Sequence, residues 1–218
     1  MERYEELQQA IIMGQLDKAP EIVRVHLDKG NDALEIISEG LIKGMSVVGQ
    51  RMKTGEMFIP EVLASAQALR GSMEILKPLI VGDKLSAIYT GKVVIGTVVG
   101  DFHNIGKNIV SVILASTGFE VVDIGVDVPT AKFVEMVEQE KPDILGISAL
   151  LTTTMPRMKD IVEALQRSEL RNKVKVMVGG APITQEFADS IEADGYAPDA
   201  GSAVDKAKEL LGLAKPKG

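Results

Sequence analysis

Asp101 and His103 stand two residues apart in a short turn and are the side chains of this sequence best suited to chemistry. The turn interrupts the stretch Val93 to Val112, V-V-I-G-T-V-V-G-D-F-H-N-I-G-K-N-I-V-S-V. Upstream of it, Val93 to Val99 is an apolar, β-branched run of the kind that forms a buried parallel strand. Downstream, from near Asn104, Ile105, Ile109 and Val112 recur at helical spacing. A loop between such a strand and helix lies at the carboxyl edge of an open α/β sheet, where ligands bind. Three chemistries could use it. A phosphate-binding loop is excluded, because five residues rather than four separate Gly100 from Gly106, and Asn108 follows Lys107 where Ser or Thr is required. Zinc needs three or four N, S or O ligands, and the chain has no Cys and only one other histidine, His26. The third possibility is a metal that brings most of its own ligands and takes one from the protein, as cobalt does in a corrin ring.

D-F-H-N-I-G resembles the D-x-H-x-x-G signature of base-off, His-on cobalamin-binding domains. Two further parts of that signature follow in order, each after an apolar strand: Ser148-Ala149-Leu150 as S-x-L and Gly179-Gly180 as G-G. The resemblance implies that His103 is the axial cobalt ligand and that Asn104, Ile105 and Gly106 belong to the cofactor loop. It also implies that Asp101 accepts the second ring N–H of His103, the usual outer partner of a metal-bound imidazole. In methionine synthase a Ser six residues after the Ser of S-x-L completes this relay, and Thr154 occupies that place here. The nucleotide tail of the cofactor is implied to thread past Ser148, Leu150, Gly179 and Gly180, with Thr152 either touching the tail or helping to start the next helix.

Residues 1–77 are expected to be helical throughout, as a four-helix bundle cap. Asp17 is the expected N-cap of the second helix, Asn31 or Asp32 starts the third, and Pro60 sits in the first turn of the fourth. His26, between Val25 and Leu27, reads as a structural or solvated side chain. The connection before Pro60 contains V-G-x-x-x-x-x-G-E-M-F-I-P, which is similar to the helical cap preceding the cobalamin domain in methionine synthase and in corrinoid proteins of methyltransferase systems. By that resemblance Met52 and Ile59 cover the upper face of the corrin. Residues 78–91 are expected to be a linker, long enough to act as a hinge.

Residues 92–218 alternate strand and helix, with strands expected at 92–99, 119–124, 143–148, 174–178 and 194–197. Helices are expected at 104–117, 129–140, 154–168, 183–191 and 201–213. This is a Rossmann-like, doubly wound five-stranded parallel sheet in the flavodoxin-like order. The 218 residues carry a net charge of -7 and few aromatics, which argues against nucleic acid as a partner. There is no apolar run long enough for a membrane span, no signal-peptide layout and no Cys, so the expected location is the cytoplasm.

The cap and cobalamin domain leave no room for a substrate- or folate-binding barrel. The resemblance therefore implies a non-autonomous methyl carrier. Its partners would be a substrate-specific methyltransferase acting on a methylamine, methanol or methoxyaromatic donor, a second methyltransferase acting on tetrahydrofolate or coenzyme M, and a reductive activase. Two other classes share the cofactor signature: cobalamin-dependent sensor-regulators, which carry a DNA-binding module, and small subunits of adenosylcobalamin mutases, which lack the E-M-F-I-P cap.

Overall fold

The computed structural model describes residues 3–80 and 89–213, the side chain of Lys53 excepted. Most of the expected linker at 78–91 lies outside the described residues; Lys77–Leu79 forms a single 3-10 turn. By contact the chain divides into two compact units, one of residues 1–90 with 115–119, the other of 91–114 with 120–218. Among the described residues no helix is long and apolar enough to cross a membrane.

The first unit is helical. Helices α1 (Glu5–Ile12) and α2 (Lys18–Asp28) bury Leu7, Ile11, Ile22 and Val23. Asp17 precedes α2 but its side chain makes no capping bond, contrary to expectation, because its backbone is already in the helical region. Asp32 is a true N-cap: its extended backbone lets Oδ1 accept the Leu34 and Glu35 N–H groups at 2.9 and 3.1 Å. The long third helix expected from there is one run in three parts: α3 (Ala33–Glu35), a π-helical stretch (Ile36–Ile42) and α4 (Lys43–Thr54). Apolar periodicity alone did not reveal the widened turn. Gly40 lies within it, and a Cβ there would meet Leu7 Cδ2 at 2.5 Å, while Gln8 Nε2 donates to the Glu39 carbonyl at 2.7 Å. The helix stops at Gly55, which is left-handed at φ 78. Helix α5 (Ile59–Leu76) follows, with Pro60 in its first turn and the Glu61 carboxylate accepting the Phe58 N–H at 2.8 Å. His26 is buried, tilted against Tyr4 with ring centroids 4.8 Å apart, and its Nδ1 lies 3.0 Å from Asn31 Oδ1. It is a structural histidine.

The second unit is the five-stranded sheet, in the order β2-β1-β3-β4-β5. The strands are β1 (Gly91–Thr97), β2 (Phe119–Asp123), β3 (Ile144–Ser148), β4 (Lys175–Gly179) and β5 (Gly195–Ala197). The β1–β3, β3–β4 and β4–β5 ladders are parallel, and the order is the flavodoxin-like one. Helices α6 (Ile105–Ser116), α7 (Thr130–Glu140), α8 (Arg157–Arg167), α9 (Gln185–Ser190) and α10 (Ala200–Leu210) connect and complete it. The main core lies on one face, where Val94, Leu145, Ile147, Val176 and Val178 meet Phe133 and Val137 of α7, Ile161 and Leu165 of α8 and Ala188 of α9. The strand order reverses between β1 and β3, so the loops after these two strands flank the switch point at which doubly wound sheets bind ligands.

Candidate functional site

The loop after β1 carries Asp101 and His103, and the loop after β3 carries Leu150, Leu151 and Thr154. These two loops meet on one carboxylate. Asp101 is fully buried. Its Oδ1 accepts His103 Nδ1–H at 2.7 Å and the His103 backbone N–H at 3.1 Å. Its Oδ2 accepts the Leu150 N–H at 2.7 Å, the Leu151 N–H at 3.3 Å and the Thr154 hydroxyl at 2.7 Å. Burial by itself pushes the Asp101 pKa up; the Leu150 N–H, the Thr154 hydroxyl and His103 outweigh it and hold the carboxyl well below the usual carboxylate range. Asp101 is therefore an ionised acceptor that fixes the His103 tautomer with its proton on Nδ1. The ring itself is 51% exposed, and Nε2 is the ring nitrogen that Asp101 does not engage. Among the described residues no three His, Asp or Glu side chains converge as a metal-binding group.

Beside His103 opens a cleft of about 570 Å³ between the second face of the sheet and helices α6 and α10. Strand alternation explains its floor. Ladder pairing places Ile95, Gly146, Met177 and Gly195 in one row and Thr97, Ser148, Gly179 and Ala197 in the next. Glycine makes up half of the first row, and Ser, Gly and Ala all but Thr97 of the second; Ala200 and Ala203 of α10 close the far side. Gly180 (φ 135) turns the chain directly over the β3–α8 loop, where a Cβ would lie 1.8 Å from the Ala149 carbonyl oxygen. No other residue fits there.

The expected site residues sort themselves by position. His103, Asn104, Ile105, Gly106, Ser148, Leu150, Gly179 and Gly180 all line the cleft. Asp101 and Thr154 stand behind His103 rather than in the cleft. Thr152 is exposed and does not line it, and none of the three threonines caps α8, which starts at Arg157 after Pro156 with no side-chain cap. Thr154 is committed to Asp101 and to the Leu151 carbonyl, 3.0 Å away. Met52 and Ile59 lie in the helical unit, the first half-buried and the second 39% exposed, beside Phe58 at 69% and the buried Met57.

Sequence reasoning missed Thr97, whose buried hydroxyl donates to the His103 carbonyl at 3.1 Å. It also missed Lys107, which lines the cleft, is buried and pairs with Asp123. A polar residue inside the apolar run of β1, and a lysine that is the one charged residue of α6, were the available signals.

A corrinoid fits this donor set. One imidazole with an oriented Nε2 suits a metal whose other ligands come with it, and Gly146, Ser148, Gly179 and Gly180 leave room along the cleft for a bulky appendage.

Comparison with known proteins agrees. A family model described as B12 binding domain matches residues 91–205, and a second of the same description matches residues 3–77. Dimethylamine corrinoid protein 1 of Methanosarcina acetivorans is 47% identical over 211 residues, covering 96% of this chain and 98% of that protein. A corrinoid protein of Desulfitobacterium hafniense is 43% identical over 213 residues, 97% and 99% of the two chains. Among solved structures, the methanol:cobalamin methyltransferase complex MtaBC from Methanosarcina barkeri matches with a TM-score of 0.85 at 32% identity, over 94% of this chain and 78% of that one. The monomethylamine corrinoid protein of Methanosarcina barkeri matches at a TM-score of 0.55 and 35% identity, over 95% and 97%. With both of its units matched and nearly its whole length aligned, the chain belongs to the B12-binding corrinoid proteins of methylamine and methanol methyltransferase systems.

Proposed function

We propose that the protein carries a methyl group between a substrate-specific methyltransferase, with a methylamine, methanol or methoxyaromatic donor, and a second methyltransferase acting on tetrahydrofolate or coenzyme M. A reductive activase would restore the carrier after adventitious oxidation. The observation that carries this reading is the exposed His103 imidazole, held through Nδ1 on a buried, ionised Asp101 beside the small-residue cleft. When bound, the corrinoid supplies a cobalt centre able to accept and release a methyl group.

The chain's own residues do the rest. His103 would hold the corrinoid through Nε2. Asp101, ionised, keeps the ring proton on Nδ1 and would balance charge on the imidazole through one short hydrogen bond. Thr154 and the Leu150 N–H hold the opposite carboxylate oxygen, so the carboxylate cannot rotate away. The cleft would take the nucleotide tail, with Ser148, Gly179 and Gly180 along its floor. By the same reading Met52 and Ile59 of the helical unit would shield the corrinoid, and the exposed apolar side chains of Phe58 and Ile59 at the start of α5 support that role.

The test uses a corrinoid that lacks its own base. With cobinamide loaded, electron paramagnetic resonance of the cobalt(II) form shows nitrogen splitting from His103, and demethylation assays with each candidate donor and its methyltransferase identify the partner pair. A cobalt(II) spectrum without nitrogen splitting in the wild-type protein would sink the His-on reading. Donor identity is decided by which methyltransferase loads the carrier.

A further inference from the structure

One neighbouring turn, between β2 and α7, holds the His103 loop at both ends, and nothing in the function above uses it. At the upstream end Asp127 Oδ1 accepts the Gly100 N–H at 2.6 Å, and the Asp127 N–H donates to the Asp101 carbonyl at 3.0 Å. The two bonds run in opposite directions and form a clasp. At the downstream end Asp123 pairs with Lys107, whose side chain is 2% exposed in the first turn of α6. The other Asp123 oxygen accepts the Gly125 N–H at 2.9 Å. Between these posts the turn continues the ladder: the Thr97 N–H donates to the Gly125 carbonyl and the Val128 N–H to the Thr97 carbonyl, both at 3.0 Å.

Asp127 is one of four non-glycine residues at positive φ among the described residues, and the one that lies in this turn. It sits at φ 52, facing Gly100 at φ 81. Asp, Asn and Gly tolerate this left-handed region, and most other residues do not. A residue held there persists because its surroundings determine it, and such residues gather at functional loops.

We infer that Asp127 is a positioning residue for His103. Its clasp on Gly100 and Asp101 sets where the Asp101 backbone lies, and so where the carboxylate points when it receives the imidazole N–H. The Asp101 carboxylate draws donors from its own loop and from the β3–α8 loop. Both sets are in reach only while the Asp101 backbone stays where it is; its N–H is held by the Val98 carbonyl at 3.1 Å, its carbonyl by the Asp127 N–H, and the preceding Gly100 N–H by Asp127 Oδ1, the one bond of the three that depends on the Asp127 side chain. The consequence for cofactor binding rests on the His103 ligation proposed above; the geometry does not.

Two substitutions separate hydrogen bonding from backbone strain. Asp127→Asn keeps an acceptor oxygen and tolerates positive φ. Asp127→Gly tolerates positive φ and removes the acceptor. In the apo full-length protein with ¹⁵N-labelled histidine, long-range proton–nitrogen correlations report the tautomer of each ring, with His26 as internal control. The wild type and Asp127→Asn show His103 in a single form with its proton on Nδ1, whereas Asp127→Gly shows a mixture and leaves His26 unchanged. Cobinamide then binds Asp127→Gly about 10-fold more weakly, the low end of what outer-partner mutations cost a metal site, and Asp127→Asn like the wild type. The inference is overturned if Asp127→Gly keeps the single tautomer, or if Asp127→Asn behaves like Asp127→Gly. Hydrogen exchange at the Gly100 amide of the unmutated protein is a test that needs no variant: protection supports the clasp, and exchange at the rate of an open turn refutes it. A wild type with one tautomer but no nitrogen splitting from cobinamide would cost the ligation reading and leave Asp127 in its role.

Discussion

On one face of the sheet Val94, Leu145 and Val176 stand in a row and are buried beneath α7, α8 and α9. On the other face the next row is Ile95, Gly146, Met177 and Gly195, and half of it has no side chain. The strands are the same and the register is the same; only alternate residues differ. The filled face gains burial and close packing, which stabilise the fold. The second face leaves that gain unrealised over a cleft of about 570 Å³. At the rim of this open face the logic is polar instead: Asp101 is fully buried and bonded to groups from two loops. Stability and ligand binding are thus assigned to opposite sides of one sheet, and substitutions on the two sides should be separable.

The largest expected effect is at the rim. His103→Ala removes the side chain that offers Nε2 and leaves both faces of the sheet intact. Cobinamide affinity should fall on the order of 100-fold, at least the upper end of what loss of an outer partner costs, and the nitrogen splitting of cobalt(II) should vanish. The thermal midpoint of the apo protein should hardly move. A large drop in the midpoint would show that His103 also supports the fold, and the separation of roles would fail.

Overpacking tests the faces directly. Ala188 on α9 is wholly buried in the filled face, and Ala203 on α10 lines the cleft. Ala188→Leu should destabilise the protein by about 1–3 kcal/mol, the usual cost of extra methylenes in a packed core. Ala203→Leu should cost less than half of that in denaturant unfolding, yet weaken binding of complete cobalamin more than that of cobinamide, because it fills space taken by the nucleotide tail. Equal losses of stability at both sites would erase the contrast.

Asp101→Asn lies between the two. An amide there places an NH₂ group against donors, so the variant should lose about 2 kcal/mol, the scale of a hydrogen bond to a charged group. It should also change the acid limb of stability. The folded-state pKa of Asp101 is held below its unfolded value, so the ionised carboxylate stabilises the fold fully above the unfolded value, near pH 4. That contribution is lost as pH falls through the lower folded value. Unfolding free energies measured from pH 6 down to pH 2 should converge for wild type and Asp101→Asn below about pH 4. A constant gap over that range would mean that the carboxylate's ionisation does not matter to the fold.

How much of this was legible beforehand depends on the kind of signal. Apolar, β-branched runs such as Val93–Val99 placed the strands to within a residue or two, and five regular βα units implied a doubly wound sheet without fixing which of its common orders is used; the expected flavodoxin-like order is the one observed. The D-F-H-N-I-G, S-A-L and G-G segments converge on one cleft because each follows a strand at the same sheet edge. Contacts between loops were legible only where the resemblance supplied them, as for Thr154 on Asp101. Nothing local in V-D-V-P says that Asp127 reaches back to Gly100. Asp17 failed as a cap because capping depends on a backbone angle that residue type does not determine. The π-helical stretch at Ile36–Ile42 hides in a pattern whose apolar spacing an ordinary helix would also satisfy.

The smallest effect separates the two faces most cleanly. Gly106 is the second residue of α6 and lines the cleft, and a Cβ built there meets nothing within 4 Å. Its φ is not in the left-handed region, so no backbone argument requires glycine. In a helix, glycine is worth about 0.8–1 kcal/mol less than alanine, so Gly106→Ala should stabilise the apo protein by up to that amount, less at a first-turn position. If the open face exists for a ligand that comes close to this backbone, the same methyl group should weaken corrinoid binding, and Gly106→Val should weaken it further although valine still finds open space in the apo protein. The measurement is paired: unfolding free energy without cofactor and affinity for cobalamin, on the same preparations. Stabilisation with undiminished affinity would mean that the cofactor does not approach α6, and the cleft would lose its assignment. A gain in one quantity bought by a loss in the other is what a face left unfilled for a ligand must show.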